Sequence, residues 1–204
     1  MISPIHPITA ASFALIDQEI GEHAWSEPEY GIVRRAIHAT ADFELRDLFY
    51  FSPTAIAAGI AALQAKCPVI VDVRMVAAGV VGGLQRQGIP CHCALDTLGD
   101  GGIAEGQTQT ATGMLALARA YPEGLYLIGN APTALLAIVE QIRQQKMQPA
   151  LVVGVPVGFV AVQEAKQALA SLEVPQIRVL GRKGGSPVAA AILNALLTYS
   201  IGGT

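Results

Sequence analysis

Short aliphatic runs alternate with longer stretches of helical periodicity along most of this chain. The runs Pro68–Val73, Pro90–Leu95, Leu125–Gly129, Ala150–Val155 and Gln176–Leu180 are, taken together, rich in Val, Ile and Leu and read as nearly continuous apolar segments. A half-exposed strand would alternate with polar residues, so these runs read as strands covered on both faces. Between them Pro53–Lys66, Thr108–Ala120, Pro132–Lys146, Val160–Leu172 and Pro187–Tyr199 repeat apolar positions at helical spacing. Ser52 reads as the N-cap of the first, with Pro53 at its first helical position. The alternation predicts an α/β fold, a mainly parallel sheet with helices on both faces. The first fifty or so residues read as two helices without a clear strand, packed over an edge or end of the sheet. No repeat, linker or low-complexity stretch interrupts the pattern, so residues 1–204 are expected to form one domain.

Composition sharpens this picture. Hydrophobic residues make up 52% of the 204 positions and charged ones 14%, so most of the chain must lie in a core or an interface. Aromatics are scarce while Ala and Gly abound, which favours helices packed closely on a sheet over a β-sandwich. A net charge of −3 argues against a nucleic-acid partner, which needs a basic face for its phosphates. No apolar run reaches the roughly 18–20 residues that span a bilayer. The N-terminus lacks the basic start and apolar core of a signal peptide. Three cysteines, Cys67, Cys91 and Cys93, are an odd number for a disulfide framework. A soluble cytoplasmic protein is expected.

Three glycine-containing turns follow predicted strands: Gly129–Ala134, Gly154–Phe159 and Gly181–Pro187. Converging at one sheet edge, their backbone N–H groups and helix starts would suit an anionic ligand. None matches a dinucleotide or phosphate-loop fingerprint, so a nucleotide reading is weak. Cys91-His92-Cys93 invites a metal, but no second Cys/His cluster supplies the other ligands, and small buried cysteines fit better. Asp96 and Asp100 flank a glycine-rich loop that reads as a solvated turn. Ser186 lacks a nucleophile elbow. His6 and His23 read as surface residues.

His38 is the titratable residue whose surroundings look arranged for chemistry. In a helix, Tyr30, Val33, Ile37 and Ala41 would form one buried stripe, with Arg34, Arg35 and Asp42 on the side of His38. Its imidazole would stand at the edge of an apolar face, between two guanidiniums and a carboxylate. A group titrating at about 6.5 in such a place can act as a general acid. Two arginines on one small face suit a carboxylate-bearing ligand.

Seven blocks in order extend the argument over nearly the whole chain. They are Ser12-Phe-Ala-Leu-Ile, Val33-Arg-Arg-Ala-Ile-His-Ala-Thr, Phe51-Ser-Pro, Asp72-Val-Arg-Met-Val, Gly129-Asn-Ala-Pro-Thr-Ala-Leu, Gly154-Val-Pro-Val-Gly-Phe-Val with Glu164-Ala-Lys166, and Gly184-Gly-Ser. Together they resemble the precorrin-8X methylmutase family, also called cobalt-precorrin-8 methylmutase, of corrin-ring biosynthesis. The resemblance implies a Rossmann-like α/β domain, a homodimer, and a 1,5-sigmatropic shift of a methyl group from ring carbon 11 to ring carbon 12. The catalytic histidine of the family falls on His38, and its substrate-contacting serine and arginine fall on Ser12 and Arg35. Three departures stand out. Gln109 replaces an arginine common in relatives, Ala41 a glycine of the histidine motif, and Ala165 the serine of a Glu-Ser-Lys triplet.

The reaction so implied is unimolecular and asks for no nucleophile, cofactor or metal from the protein. His38 as imidazolium would protonate or hydrogen-bond a ring nitrogen near the migrating methyl. Arg35, Ser12, Arg34 and the N–H-rich turns would meet the carboxylate rim of the tetrapyrrole. The alternative reading is a non-catalytic corrinoid carrier using His38 as a cobalt ligand. Carriers usually present that histidine in an Asp-x-His-x-x-Gly loop, which this chain lacks around His38.

Overall fold

The computed structural model describes residues 6–97, 102–103 and 105–202. Its strands are β1 (Phe49–Phe51), β2 (Val69–Val71), β3 (Cys91–Cys93), β4 (Leu125–Ile128), β5 (Leu151–Gly154) and β6 (Gln176–Val179). They form one sheet in the order β1-β6-β5-β4-β2-β3, all parallel except β1, which runs antiparallel to β6. The helices are α1 (Pro7–Ile20), α2 (Glu27–Thr40), α3 (Ala55–Gln64), α4 (Arg74–Gln87), α5 (Gln109–Ala120), α6 (Pro132–Arg143), α7 (Val162–Ala170) and α8 (Ser186–Ser200).

Successive strand residues point to opposite faces, and each face has its own core. Val69, Val71, Leu125, Leu127, Leu151 and Val153 pack with α1–α4 and α8. Ile70, Tyr126, Ile128 and Val152 pack with α5, α6 and α7. Double coverage explains why these strands read as unbroken apolar runs. The chain passes from β2 through α4 to β3 at one edge, then returns through α5 to β4 on the other side of β2. That reversal between β2 and β4 is where sheets of this kind open a crevice for ligands.

Four local features differ from the sequence-based expectations. Helix α4 has no counterpart among them, because Gly79, Gly82 and Gly83 weaken its pattern by about 1 kcal/mol each relative to Ala. It forms because α8 packs on it. A Cβ at Gly79 would stand 2.7 Å from the Ala190 methyl, and one at Gly83 would stand 2.9 Å from Leu197 Cδ1. The N-terminal region does contain a strand, β1, at the sheet edge, while α2 lies against α8 in the helical layer. Ser52 extends the β1–β6 pairing and does not cap α3. Its N–H donates to the Gln176 carbonyl at 2.9 Å, and its hydroxyl accepts from the Gln176 N–H at 2.9 Å. Helix α3 starts later, after Thr54. The run Pro90–Leu95 is extended only over Cys91–Cys93 and then turns into a 3-10 segment at Ala94–Asp96. Among the described residues no helix is long and apolar enough to cross a membrane.

Candidate active site

Helix α2 opens with Ser26 and Glu29 forming a capping box, the Ser26 N–H donating to the Glu29 carboxylate at 2.9 Å. Its buried face is Gly31, Ile32, Val33, Ala36 and Ile37, which leaves His38 exposed in the last turn. Ala41 is not part of the buried stripe. It ends the helix in the left-handed region, at φ 54°, and is exposed.

Phe13, buried and carried by α1, organises this end of the molecule. The His38 imidazole stands edge-on to its ring, with centroids 5.3 Å apart. The Arg34 guanidinium lies 4.4 Å from the ring centroid and that of Arg35 5.8 Å. The two arginines then diverge. Arg34 donates to Asp17 at 3.0 Å, and the Tyr30 hydroxyl donates to the same carboxylate. Burial, then Asp17, pushes the Tyr30 phenol up to about 12. The expectation that Arg34 stands free for a ligand is therefore corrected. Arg35 has a single hydrogen bond, to the Thr198 hydroxyl at 3.3 Å, and no ion pair among the described residues. Burial lowers its guanidinium from the ordinary value.

Ser12 lies on α1 with its hydroxyl donating to the Ile8 carbonyl at 2.9 Å, the usual bond of a helical serine. To donate to a ligand it must release that bond. Asp42 does not reach His38. The left-handed Ala41 takes the chain out of the helix, so the one-turn relation between positions 38 and 42 is lost. The Asp42 carboxylate instead meets Lys183 Nζ at 2.7 Å and accepts the Glu44 N–H at 3.1 Å.

The turns at the carboxyl edge of the sheet are largely self-satisfied. Asp72, fully buried at the end of β2, accepts the N–H groups of Gly129, Asn130 and Ala131 at 3.1, 2.7 and 2.7 Å. It also accepts its neighbour Val73 at 3.0 Å. Burial holds its carboxyl above the usual range, against the pull of those donors. The N–H groups of the Gly129 turn are thus taken by a carboxylate of the chain itself, which corrects the expectation that this turn binds an external anion. The Gly158 and Gly185 N–H groups bond to the carbonyls of Arg182 and Val155. The buried Lys166 ammonium joins the Gly181 and Lys183 carbonyls at 2.9 and 2.7 Å. Sequence reasoning assigned no role to Asp72, Lys166 or Phe13. The Phe13 and Thr198 contacts carry no local signal, because their partners come from distant parts of the chain.

Arg35 lines a groove of about 900 Å³ between α2, α4 and α8, with Gly82, Arg86, Asn194 and Thr198 among its walls. His38 and Ser12 do not line it. His38 lies three residues after Arg35, which places it on the same side of α2 about one turn along. Cys91 and Cys93 pack toward the core of α1–α4 and α8, while His92 stacks on Tyr121 at 4.5 Å. Among the described residues no group of three or more His, Cys, Asp or Glu side chains could hold a metal ion. Asp96 pairs with Arg74 at 2.6 Å, and Asp100 lies outside the described residues. Gln109 opens α5 and donates to the Leu95 carbonyl at 3.4 Å. His6 caps α1, and His23 stacks on Tyr30 at 3.9 Å.

The chain is 48% identical to the cobalt-precorrin-8 methylmutase of Synechocystis sp. over 97% of each sequence. It is 42% identical to the cobalt-precorrin-8 methylmutase of Leptospira interrogans, covering 93% of this chain and 91% of the relative. The crystal structure of precorrin-8x methyl mutase from Thermus thermophilus superposes with a TM-score of 0.86 at 42% identity, over 98% of this chain and 100% of that one. The family model described as precorrin-8X methylmutase matches residues 7–199. With the whole described architecture shared and most of its length matched, this chain belongs to the precorrin-8X methylmutase family.

Proposed function

We propose that this protein catalyses the 1,5-sigmatropic migration of a methyl group from carbon 11 to carbon 12 of precorrin-8 or its cobalt complex, giving hydrogenobyrinic or cobyrinic acid. One observation carries the assignment of roles. An exposed imidazole, His38, is braced on Phe13 one turn from Arg35, a guanidinium without an ion pair among the described residues that lines a groove of about 900 Å³. His38 acts as the proton donor, protonating or hydrogen-bonding a ring nitrogen and drawing electron density from carbon 11. Positioned proton transfer typically contributes about 10²–10⁴-fold. Holding the macrocycle in one conformation supplies the rest. Arg35 binds a rim carboxylate, a pairing strengthened by the partial burial of the guanidinium. Ser12 serves as a polar contact from α1.

The corrinoid-carrier alternative has no observation in its favour, since His38 belongs to a regular helix and not to a ligand-presenting loop. A homodimer is part of the same proposal. Its support is the set of exposed apolar side chains Ile8 and Leu15 on α1 and Met75 and Val81 on α4, which a second copy would cover. Three free cysteines suit the reducing cytoplasm, where we place the protein. Incubation with precorrin-8 or cobalt-precorrin-8, followed by absorption spectroscopy, tests the activity. Conversion in excess of enzyme is expected, and a spectral change limited to one equivalent contradicts it.

A further inference from the structure

Resting on the reading of Arg35 as a substrate contact, we propose that Arg86 is a second substrate-positioning residue. It holds another rim carboxylate of the macrocycle on the opposite wall of the same groove. Both guanidiniums line the groove, Arg35 from α2 and Arg86 from α4, and neither has an ion pair among the described residues. Other arginines nearby do have one, Arg34 with Asp17 and Arg74 with Asp96. Arg86 sits in the last turn of α4, where any cation is favoured by the helix dipole. Its direction is not explained by that. The guanidinium folds back over the preceding turn, with Nη1 3.6 Å from where a Gly82 Cβ would stand and Nη2 4.0 Å from that of Gly83.

The two glycines clear the shelf on which this guanidinium lies. Gly83 is also required by α8, whereas at Gly82, among the described residues and outside the local backbone of α4, a Cβ would meet the Arg86 guanidinium alone within 4 Å. Asn194 donates to the Gly79 carbonyl at 2.9 Å and Thr198 accepts from Arg35 at 3.3 Å, so α8 lines the groove with neutral, already bonded polar groups while α2 and α4 supply the charges. A groove of this size sits at the upper end of small-molecule sites. Two guanidiniums lining it from different helices, neither in an ion pair among the described residues, fit a ligand with several separated carboxylates better than a single anion.

The test compares R86A, R86K and R35A with the unaltered protein, using metal-free precorrin-8 turnover and direct binding of the corrinoid product. R86A is expected to raise KM and the product Kd roughly 10- to 100-fold with kcat little changed, as when an interaction common to ground and transition states is lost. R86K should recover part of the affinity, since lysine supplies charge without the planar fork. R35A combined with R86A should lose affinity multiplicatively, because distinct carboxylates are released. Melting curves of R86A should match the parent, as the side chain is exposed. An R86A protein with unchanged KM and product Kd overturns the proposal while the R35A effect leaves the activity assignment standing. An R86A protein altered only in sedimentation assigns the groove to a second copy and overturns it as well. Absence of turnover in the unaltered protein overturns both.

Discussion

The imidazole of His38 rests edge-on against the ring of Phe13, at an interplanar angle of 79°. This ring contact from α1 restricts the orientation of the proposed proton donor. Replacing Phe13 with alanine should destabilise the fold by about 3 kcal/mol or more, as expected for a buried aromatic. F13L keeps most of the volume and should lose less than about 1.5 kcal/mol. Its turnover should nevertheless fall about two- to thirteenfold, the rate equivalent of the roughly 0.5–1.5 kcal/mol attached to an aromatic pair. Urea melts combined with kcat measurements separate the two effects. F13L with full turnover would show that the ring contact does not orient His38.

Ala41 closes the helix that carries His38 in a left-handed conformation. An L-residue pays about 1–2 kcal/mol there, whereas glycine adopts it freely. A41G should therefore stabilise the protein by about 0.5–1 kcal/mol, after allowance for the greater unfolded-state freedom of glycine. The melting temperature should rise. A fall would place the cost of the conformation elsewhere.

Lys166 is buried, and burial lowers its ammonium from 10.5 to about 8. In the unfolded chain the same lysine keeps its proton to about 10.4. Between these values the unfolded state binds more protons, so stability gains as pH rises from about 8 toward 10.5, and the burial penalty is fully present below 8. The span corresponds to at most about 3 kcal/mol. K166M removes this titration. The stability difference between parent and K166M, from urea melts at pH 7.5, 9 and 10, should move in favour of the parent as pH rises. A flat difference would mean that the ammonium is not penalised by its site.

The doubly covered sheet was legible in the sequence because apolar residues fill both faces of β2, β4 and β5, while β6 alternates Ile177 and Val179 with the buried Gln176 and Arg178. Helix α4 was not, since its glycines weaken the local signal and only the approach of α8 makes them favourable. Helical spacing singled out His38 and Arg35, the family resemblance proposed their roles and that of Ser12, and the environment of all three was only partly foreseeable. Arg34 and Arg35 are adjacent in sequence, yet Asp17 on α1 claims one and leaves the other open. Asp42 lies one turn from His38 only if the helix continues, and Ala41 ends it. The Gly129 turn has the composition of an anion site, and its anion proves to be Asp72, which lies 57 residues from Gly129 in sequence. Pairings of this kind depend on strand order, which no local pattern contains.

The proton donor itself is the centre of the account. H38A and H38N, assayed for conversion of precorrin-8 by absorption spectroscopy alongside equilibrium binding of the product, test it most directly. Loss of turnover by about 10²-fold or more, with product affinity within a few-fold of the parent, is the predicted result. Unimpaired turnover in H38A would contradict the assignment, because no proton from His38 would then be needed for the methyl group to move.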